Sequence, residues 1–406
     1  MRSFKDINQS GLWVYYTGLL FAFFMPFGKQ LLLPFIVLFL FSLLISPGFG
    51  KKSTIKKSRN YFIIFSSFYV LHVTGMLYTT NISRGLSDLE IKASLILFPL
   101  FFILSPNFLF GPRFFSGIVT AFFLGCFGSV FFSFIISSIQ YFETGSLYVF
   151  YYSNSSYFLH TSYISMYIIF AIFSMVVINA QIKGKTIYFI LSGFLIFYLN
   201  LFSSKSGFIT FFLAFVLMII FLLYEKRFKR SVFLLIGALA MFLSSLFIFP
   251  ESSGRIKVAV ETIKTNESEL KQSGESTADR LLIWKTALEL SRQNLWLGTG
   301  TGDVKDELVK KYIEKGMNHP AQLKLNAHNQ FIQSFVALGF PALTVLILIF
   351  LIPLWLSFRK KYWVYFAFIL FFAFNIMVES MLEVQAGIVY FAFWNLLLWI
   401  KMQEKE

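Results

Sequence analysis

The sequence predicts an all-α polytopic membrane protein: about twelve transmembrane helices with one large external (periplasmic) helical loop. Three observations lead there. Of 406 residues, 57% are hydrophobic and 14% charged, with a mean hydropathy of +0.70. The apolar residues fall into repeated runs of about 18–25, each long enough to cross a ~30 Å hydrocarbon core as a helix. The runs are continuous rather than alternating, and lipid offers the backbone no outside partner, which favours helices over a barrel.

In order, the expected spans are 11–27, 30–47, 61–79, 90–105, 114–140, 160–180, 186–203, 206–224, 231–249, 329–357, 362–379 and 383–400. Residues 1–249 thus carry spans one to nine, 250–328 form the external loop, and 329–406 carry spans ten to twelve with a short cytoplasmic tail. The basic clusters "KKSTIKKSR" (51–59), "KGK" (183–185), "EKRFKR" (225–230) and "RKK" (359–361) then share one side. By the positive-inside rule that side is the cytoplasm, and both termini lie there as well. Outside the long loop, nineteen Lys and Arg residues fall on this side, against Lys29, Arg84, Lys92 and Lys205 on the other. The net charge of +15 is therefore a topology signal, and nucleic acid is not an expected partner.

Other compositional features read plainly. The 56 phenylalanines are expected as packing and lipid-facing residues. Cys126 stands alone in an apolar run, which excludes an internal disulfide and a Cys-based metal site. The first apolar run lacks a small-residue cleavage site and is expected to be the first span.

The segment from Glu251 to His328 is nearly neutral, with 12 basic and 11 acidic residues. It is the soluble piece large enough to shape a site, yet too short for an independent core. Within it "STADRLLIWKTALELSRQNLW" (276–296) reads as an amphipathic helix, N-capped by Thr277, with Arg280, Trp284 and Ala287 on one face. "LGTGTGD" (297–303) breaks that helix, and Asp303 is expected to cap the next one over 303–316. The glycine spacing mimics a dinucleotide fingerprint, but a helix precedes it where that motif needs a strand. A turn between two helices is the ordinary reading; exposed N–H groups touching a phosphate is the alternative.

His328 stands where this loop returns to an apolar run, in "LNAHNQF". An interfacial histidine is one reading. A general base held at fixed depth is the other, since a neutral imidazole can activate a hydroxyl. Lys205, in "LFSSKSGFI", either snorkels from a helix end or offers a cation, with neighbouring serines, to an anionic headgroup. Arg280 is either an exposed helix charge or a planar fork for phosphate. Together they point to a phosphorylated lipid. Glu379 and Glu383, near the outer ends of the last two spans, either orient a substrate or solvate a turn. His160 and Tyr163 open the sixth span on the same side. His72 is expected as a buried, hydrogen-bonded histidine. No spacing on this face favours a metal site, and no cofactor is expected.

"HNQFIQSFVALG", from His328 and Asn329 to Gly339, resembles the signature of the bacterial O-antigen ligase and O-antigen polymerase superfamily: His, then Asn, Ser or Gln, nine residues, then Gly. The segment carrying Arg280 and Trp284 followed by "LWLGTGTG", and the "HTSYISMY" stretch, resemble the same family. Two departures stand out. Lys205 occupies a place where members often carry Arg, losing the bidentate fork, and "FPAL" follows Gly339.

The resemblance implies a bacterial inner-membrane enzyme that transfers saccharide from an undecaprenyl-diphosphate carrier to a lipid A–core sugar or another glycan acceptor on the periplasmic side. It implies His328 as base and Arg280 and Lys205 on the diphosphate, without a metal, with Asn329, His160, Tyr163 and Glu379 as secondary candidates. A polymerase using the same donor is the alternative. A flippase or other transporter would carry charges along a path through several spans, whereas the notable polar groups here gather on one face.

Overall fold

The computed structural model describes residues 9–51, 58–178, 185–226, 228, 262, 270 and 275–404, and all regular structure among them is helical. The helices are α1 Gln9–Phe24, α2 Gly28–Leu44, α3 Arg59–Gly75, α4 Ile82–Lys92, α5 Ser94–Leu104, α6 Pro112–Thr144, α7 Thr161–Ile178, α8 Lys185–Phe202, α9 Lys205–Tyr224, α10 Ser276–Ser291, α11 Val304–Glu314, α12 Asn318–Gln322, α13 Gln330–Arg359, α14 Trp363–Ile376 and α15 Gln385–Gln403. The expected span 231–249, and residues 251–274 of the loop save Thr262 and Leu270, lie outside the described residues.

Five described stretches are long and apolar enough to cross a membrane: Gly11–Leu44, Pro112–Thr144, Thr161–Ile178, Lys205–Tyr224 and Gln330–Arg359. The first is folded back on itself. Met25–Phe27 turns as a 3₁₀ segment, Gly28 takes φ +76°, and Thr17 Oγ1 lies 2.7 Å from Ser42 Oγ. Twenty-five residues of straight helix would hold those hydroxyls about 37 Å apart, so α1 and α2 form a hairpin. Among the other expected spans, Thr186–Phe202 and Trp363–Ile376 are apolar but fall below spanning length, while α15, on the expected span 383–400, is a continuous helix of 19 residues. The 90–105 span begins in the last turn of α4 and breaks at Ala93 before α5.

α15 is the centre of the bundle, buried continuously from Ala386 to Met402 and packed against α5 and α14. The phenylalanines fill this core together with other aromatics. Tyr390 stacks on Tyr167 at 4.1 Å, and Phe391 on Phe372 at 4.4 Å. Some polar atoms inside are paired across helices, as where Asn395 bridges the hydroxyls of Tyr61 (2.7 Å) and Tyr365 (2.5 Å). His72 is buried, its Nδ1 2.9 Å from the Phe68 carbonyl oxygen. Cys126 is a buried free thiol.

α10 starts two residues earlier than the Thr277 cap requires. Glu275 is its N-cap, accepting from Thr277 N–H (2.6 Å) and Ala278 N–H (3.2 Å). Asp303 precedes α11 without capping it. Its carboxylate instead accepts from Thr80 N–H, Thr80 Oγ1 and Asn81 N–H at 2.7–2.9 Å, tying the loop to the start of α4.

Gly339 explains how the glycine-rich turn joins the bundle. It bends α13 with φ +67°, and a Cβ there would overlap the Trp296 backbone. The bend and Pro341, which has no N–H, leave the Val336 and Ala337 carbonyls without helix partners. Thr299 N–H and Gly300 N–H take them, each at 2.9 Å, and Phe340 N–H bonds the Leu295 carbonyl at 2.8 Å. These turn N–H groups are thus committed to α13, which overturns their reading as a phosphate contact.

Candidate active site

Six segments converge on one cavity of about 680 Å³ at the α10 end of the bundle. His160 comes from the residue before α7, Lys205 from the first residue of α9, and Arg280 and Trp284 from α10. His319 comes from α12, His328 from the lead into α13, and Glu379 from the link between α14 and α15. Asn329 and Tyr163 are not on its wall. Asn329 caps α13, its Oδ1 accepting from Ile332 N–H at 3.1 Å. Tyr163 is buried, edge-to-face with His160.

His328 is held in an uncommon backbone conformation. It has φ +44°, which a residue with a side chain adopts only where its surroundings demand it. They do so here: Asn326 Oδ1 accepts from His328 N–H (2.9 Å), and Gln333 Oε1 accepts from Ala327 N–H (3.0 Å). The result turns the imidazole toward Glu379, whose Oε2 lies 3.0 Å from His328 Nδ1. An ionised carboxylate only accepts, so Nδ1 carries the proton and Nε2 is left as the basic nitrogen.

Glu379 joins His328 to Arg280. Its Oε1 accepts from Arg280 Nη2 at 2.6 Å, while Arg280 Nε–H bonds the Val378 carbonyl at 3.2 Å. Burial alone would raise this carboxyl. The hydrogen bond and charge of His328, with the charges of Arg280 and His160, outweigh burial and lower it to about 2. Glu379 therefore stays anionic, as an orienting group must.

Lys205 reaches the cavity wall already paired. Its Nζ donates to Glu275 Oε1 (2.6 Å) and Thr277 Oγ1 (2.7 Å), so the cap of α10 is also the counter-ion of α9. Burial raises the Glu275 carboxyl, but the Lys205 bond, the Thr277 N–H and the Lys205 charge bring it down to about 2. Both predicted cations are thus already seated on carboxylates.

A buried cluster backs the Glu379 link. Glu383 accepts from Lys92 Nζ (2.7 Å) and Gln330 Nε2 (2.8 Å), and Lys92 also donates to Asp88 (2.6 Å). Gln330 Oε1 in turn accepts from Leu382 N–H at 2.8 Å. The connection carrying Glu379 is therefore clamped to the helix that follows His328.

The sequence reading missed three residues: Glu275, Asp279 and His319. Asp279 Oδ2 lies 2.7 Å from His319 Nδ1 on the cavity wall. The two are 40 residues apart in the chain, and no spacing rule reports such a pair. The scarcity of histidine was the one usable signal. Among the described residues no three His, Cys, Asp or Glu side chains gather as a metal-ion site. What the wall does hold is an imidazole with a basic nitrogen beside a guanidinium, an arrangement suited to deprotonating a hydroxyl near an anion.

Residues 187–347 match the family model described as O-antigen ligase. That segment belongs to the O-antigen ligase superfamily. The O-antigen ligase segment contains Lys205, Arg280, His319 and His328, while His160 and Glu379 reach the cavity from outside it. The family covers ligase and polymerase-type enzymes, and implies membrane glycosyltransferase-type chemistry on lipid-linked saccharide and glycan acceptors. With its apolar helices, this is a bacterial membrane protein. Comparison with curated proteins gives no match.

Proposed function

We propose that this chain is an O-antigen ligase-like glycosyltransferase of the bacterial inner membrane. It moves saccharide from an undecaprenyl-diphosphate carrier to a lipid A–core sugar hydroxyl in the periplasm, without a metal ion. The observation that carries this reading is the His328–Glu379–Arg280 chain on the wall of a cavity that Lys205 also lines. An acceptor hydroxyl attacks the anomeric carbon as the bond from that carbon to the diphosphate oxygen breaks. His328 Nε2 takes the hydroxyl proton, and the leaving diphosphate keeps the bonding pair. Arg280, with N–H groups beyond the two already engaged, and Lys205 stabilise the charge that develops. Glu379 holds the imidazole tautomer and balances the imidazolium that forms.

The loop placement and the histidine signature favour the ligase over a polymerase using the same donor. The test is the surface glycan profile of a deletion strain complemented with wild type or His328→Ala. Long glycan retained on the lipid carrier and absent from lipid A–core is the expected result for the deletion and for His328→Ala. Single-repeat glycan on core would assign a polymerase. A normal profile with His328→Ala would sink the mechanism.

A further inference from the structure

The cavity holds a second imidazole backed by a carboxylate, and the mechanism above leaves it unused. His319 Nδ1 lies 2.7 Å from Asp279 Oδ2; the Asp279 side chain is 7% exposed and that of His319 43%. The carboxylate fixes the proton on Nδ1 and leaves Nε2 for a ligand.

Charge on the wall indicates what that nitrogen does. Among the described residues the lining has two cations, Lys205 and Arg280, and two carboxylates, Asp279 and Glu379. Each cation is seated on a carboxylate at 2.6 Å, Arg280 on Glu379 and Lys205 on Glu275. The described wall is thus formally neutral with its imidazoles uncharged. A diphosphate joined to a lipid and a sugar brings one negative charge on each phosphoryl group. Moving it from water against a neutral wall is unfavourable unless positive charge arrives with it. Imidazole is the group that can supply it near neutral pH.

Three imidazoles line the cavity. His328 must keep Nε2 free of a proton to act as base, and His160 Nδ1 accepts from Ser162 N–H at 3.4 Å. His319 has no competing duty. We infer that His319, held by Asp279, takes up a proton when a diphosphate anion enters the cavity and donates Nε2–H to it, as the third cation of the donor subsite. This rests on the glycosyltransferase reading above.

The charged groups around His319 are Asp279 and Arg280 on α10, Lys205 on α9 with Glu275 behind it, His160, His328 and Glu379. On α11, which packs against α12, Lys311 pairs with Glu314; Lys315, just beyond it, pairs with Glu289. Lys324, past α12, acts on Asp306.

The test is calorimetric titration of the full chain in detergent micelles, near pH 7, in PIPES and in Tris, whose ionisation enthalpies differ. The ligand is P1-farnesyl P2-methyl diphosphate, a diphosphate esterified at both ends, which has no group of its own titrating near that pH. Wild type is expected to take up as much as one proton per ligand bound, with affinity falling as pH rises. His319→Gln is expected to lose that uptake and bind roughly tenfold or more weakly, the size of a charge-assisted hydrogen bond. His328→Gln is expected to keep the uptake while losing glycan transfer. Wild type binding without proton uptake, or His319→Gln retaining wild-type uptake and affinity, overturns the inference; the wild-type result does not depend on any variant folding. Transfer that survives in His328→Gln while uptake is lost in His319→Gln would instead break the proposed mechanism and leave this subsite standing. Failure of P1-farnesyl P2-methyl diphosphate to bind wild type would remove both.

Discussion

Glu379 and Glu383 stand four residues apart on one connection, yet their surroundings give them different tasks. Glu379 lines the cavity and is bonded to His328 and Arg280, groups that a substrate can also reach. Glu383 points into the bundle and is bonded to Lys92, whose side chain is 0% exposed, and to the buried Gln330. An ion pair beside a cavity can exchange partners with an incoming anion. A buried one cannot, because removing either partner strands a charge away from water. The first pair is therefore built for chemistry and the second for holding the connection in place.

The largest effect should fall on the cavity side. His328→Ala is expected to lower glycan transfer by about 10²–10⁴-fold, the usual contribution of a general base, at an unchanged melting temperature. Transfer assayed with purified protein and lipid-linked donor, with EDTA present throughout, checks this; loss of wild-type activity in EDTA would remove the metal-independent reading. On the buried side, Lys92→Met should destabilise the protein by about 3–5 kcal/mol, because Glu383 and Asp88 lose their shared cation. Thermal melting in detergent reads it, and a wild-type melt would erase the contrast between the two acids.

Glu379→Gln sharpens the comparison. It should leave the fold intact while reducing transfer, since a neutral amide no longer dictates the His328 tautomer; kcat should fall more than KM rises. Gly339→Ala is expected to destabilise by about 1–3 kcal/mol, as φ +67° disfavours a side chain and the Trp296 backbone occupies its space.

The smallest effect is the acid limb of stability. Glu379 and Glu275 have folded values near 2, below the ordinary glutamate value. Their stabilisation is complete above roughly pH 4.3, the unfolded value, and is lost as pH falls toward 2. Melting temperature measured from pH 5 downward should drop in wild type and drop less steeply in Glu379→Gln.

Helices, their order and several boundaries were legible because lipid burial demands long apolar runs, and 329–357 and 383–400 lie close to α13 and α15. His328, Arg280 and Lys205 were legible as candidates because charged groups are rare here. Their partners were not. Glu275 capping α10 while holding Lys205, Asp303 reaching α4, and Asp279 meeting His319 all join residues distant in sequence through side-chain reach. The hairpin at Gly28 was legible, since the expected spans 11–27 and 30–47 meet there and the basic clusters put their far ends on one side. The sequence by itself determined a helical membrane protein with a segment, 187–347, that matches the O-antigen ligase family, since local hydropathy and a short signature suffice for that. Only tertiary structure decided which carboxylate meets which cation, because hydrogen bonds act over about 3 Å and the chain sets such distances only after it has packed.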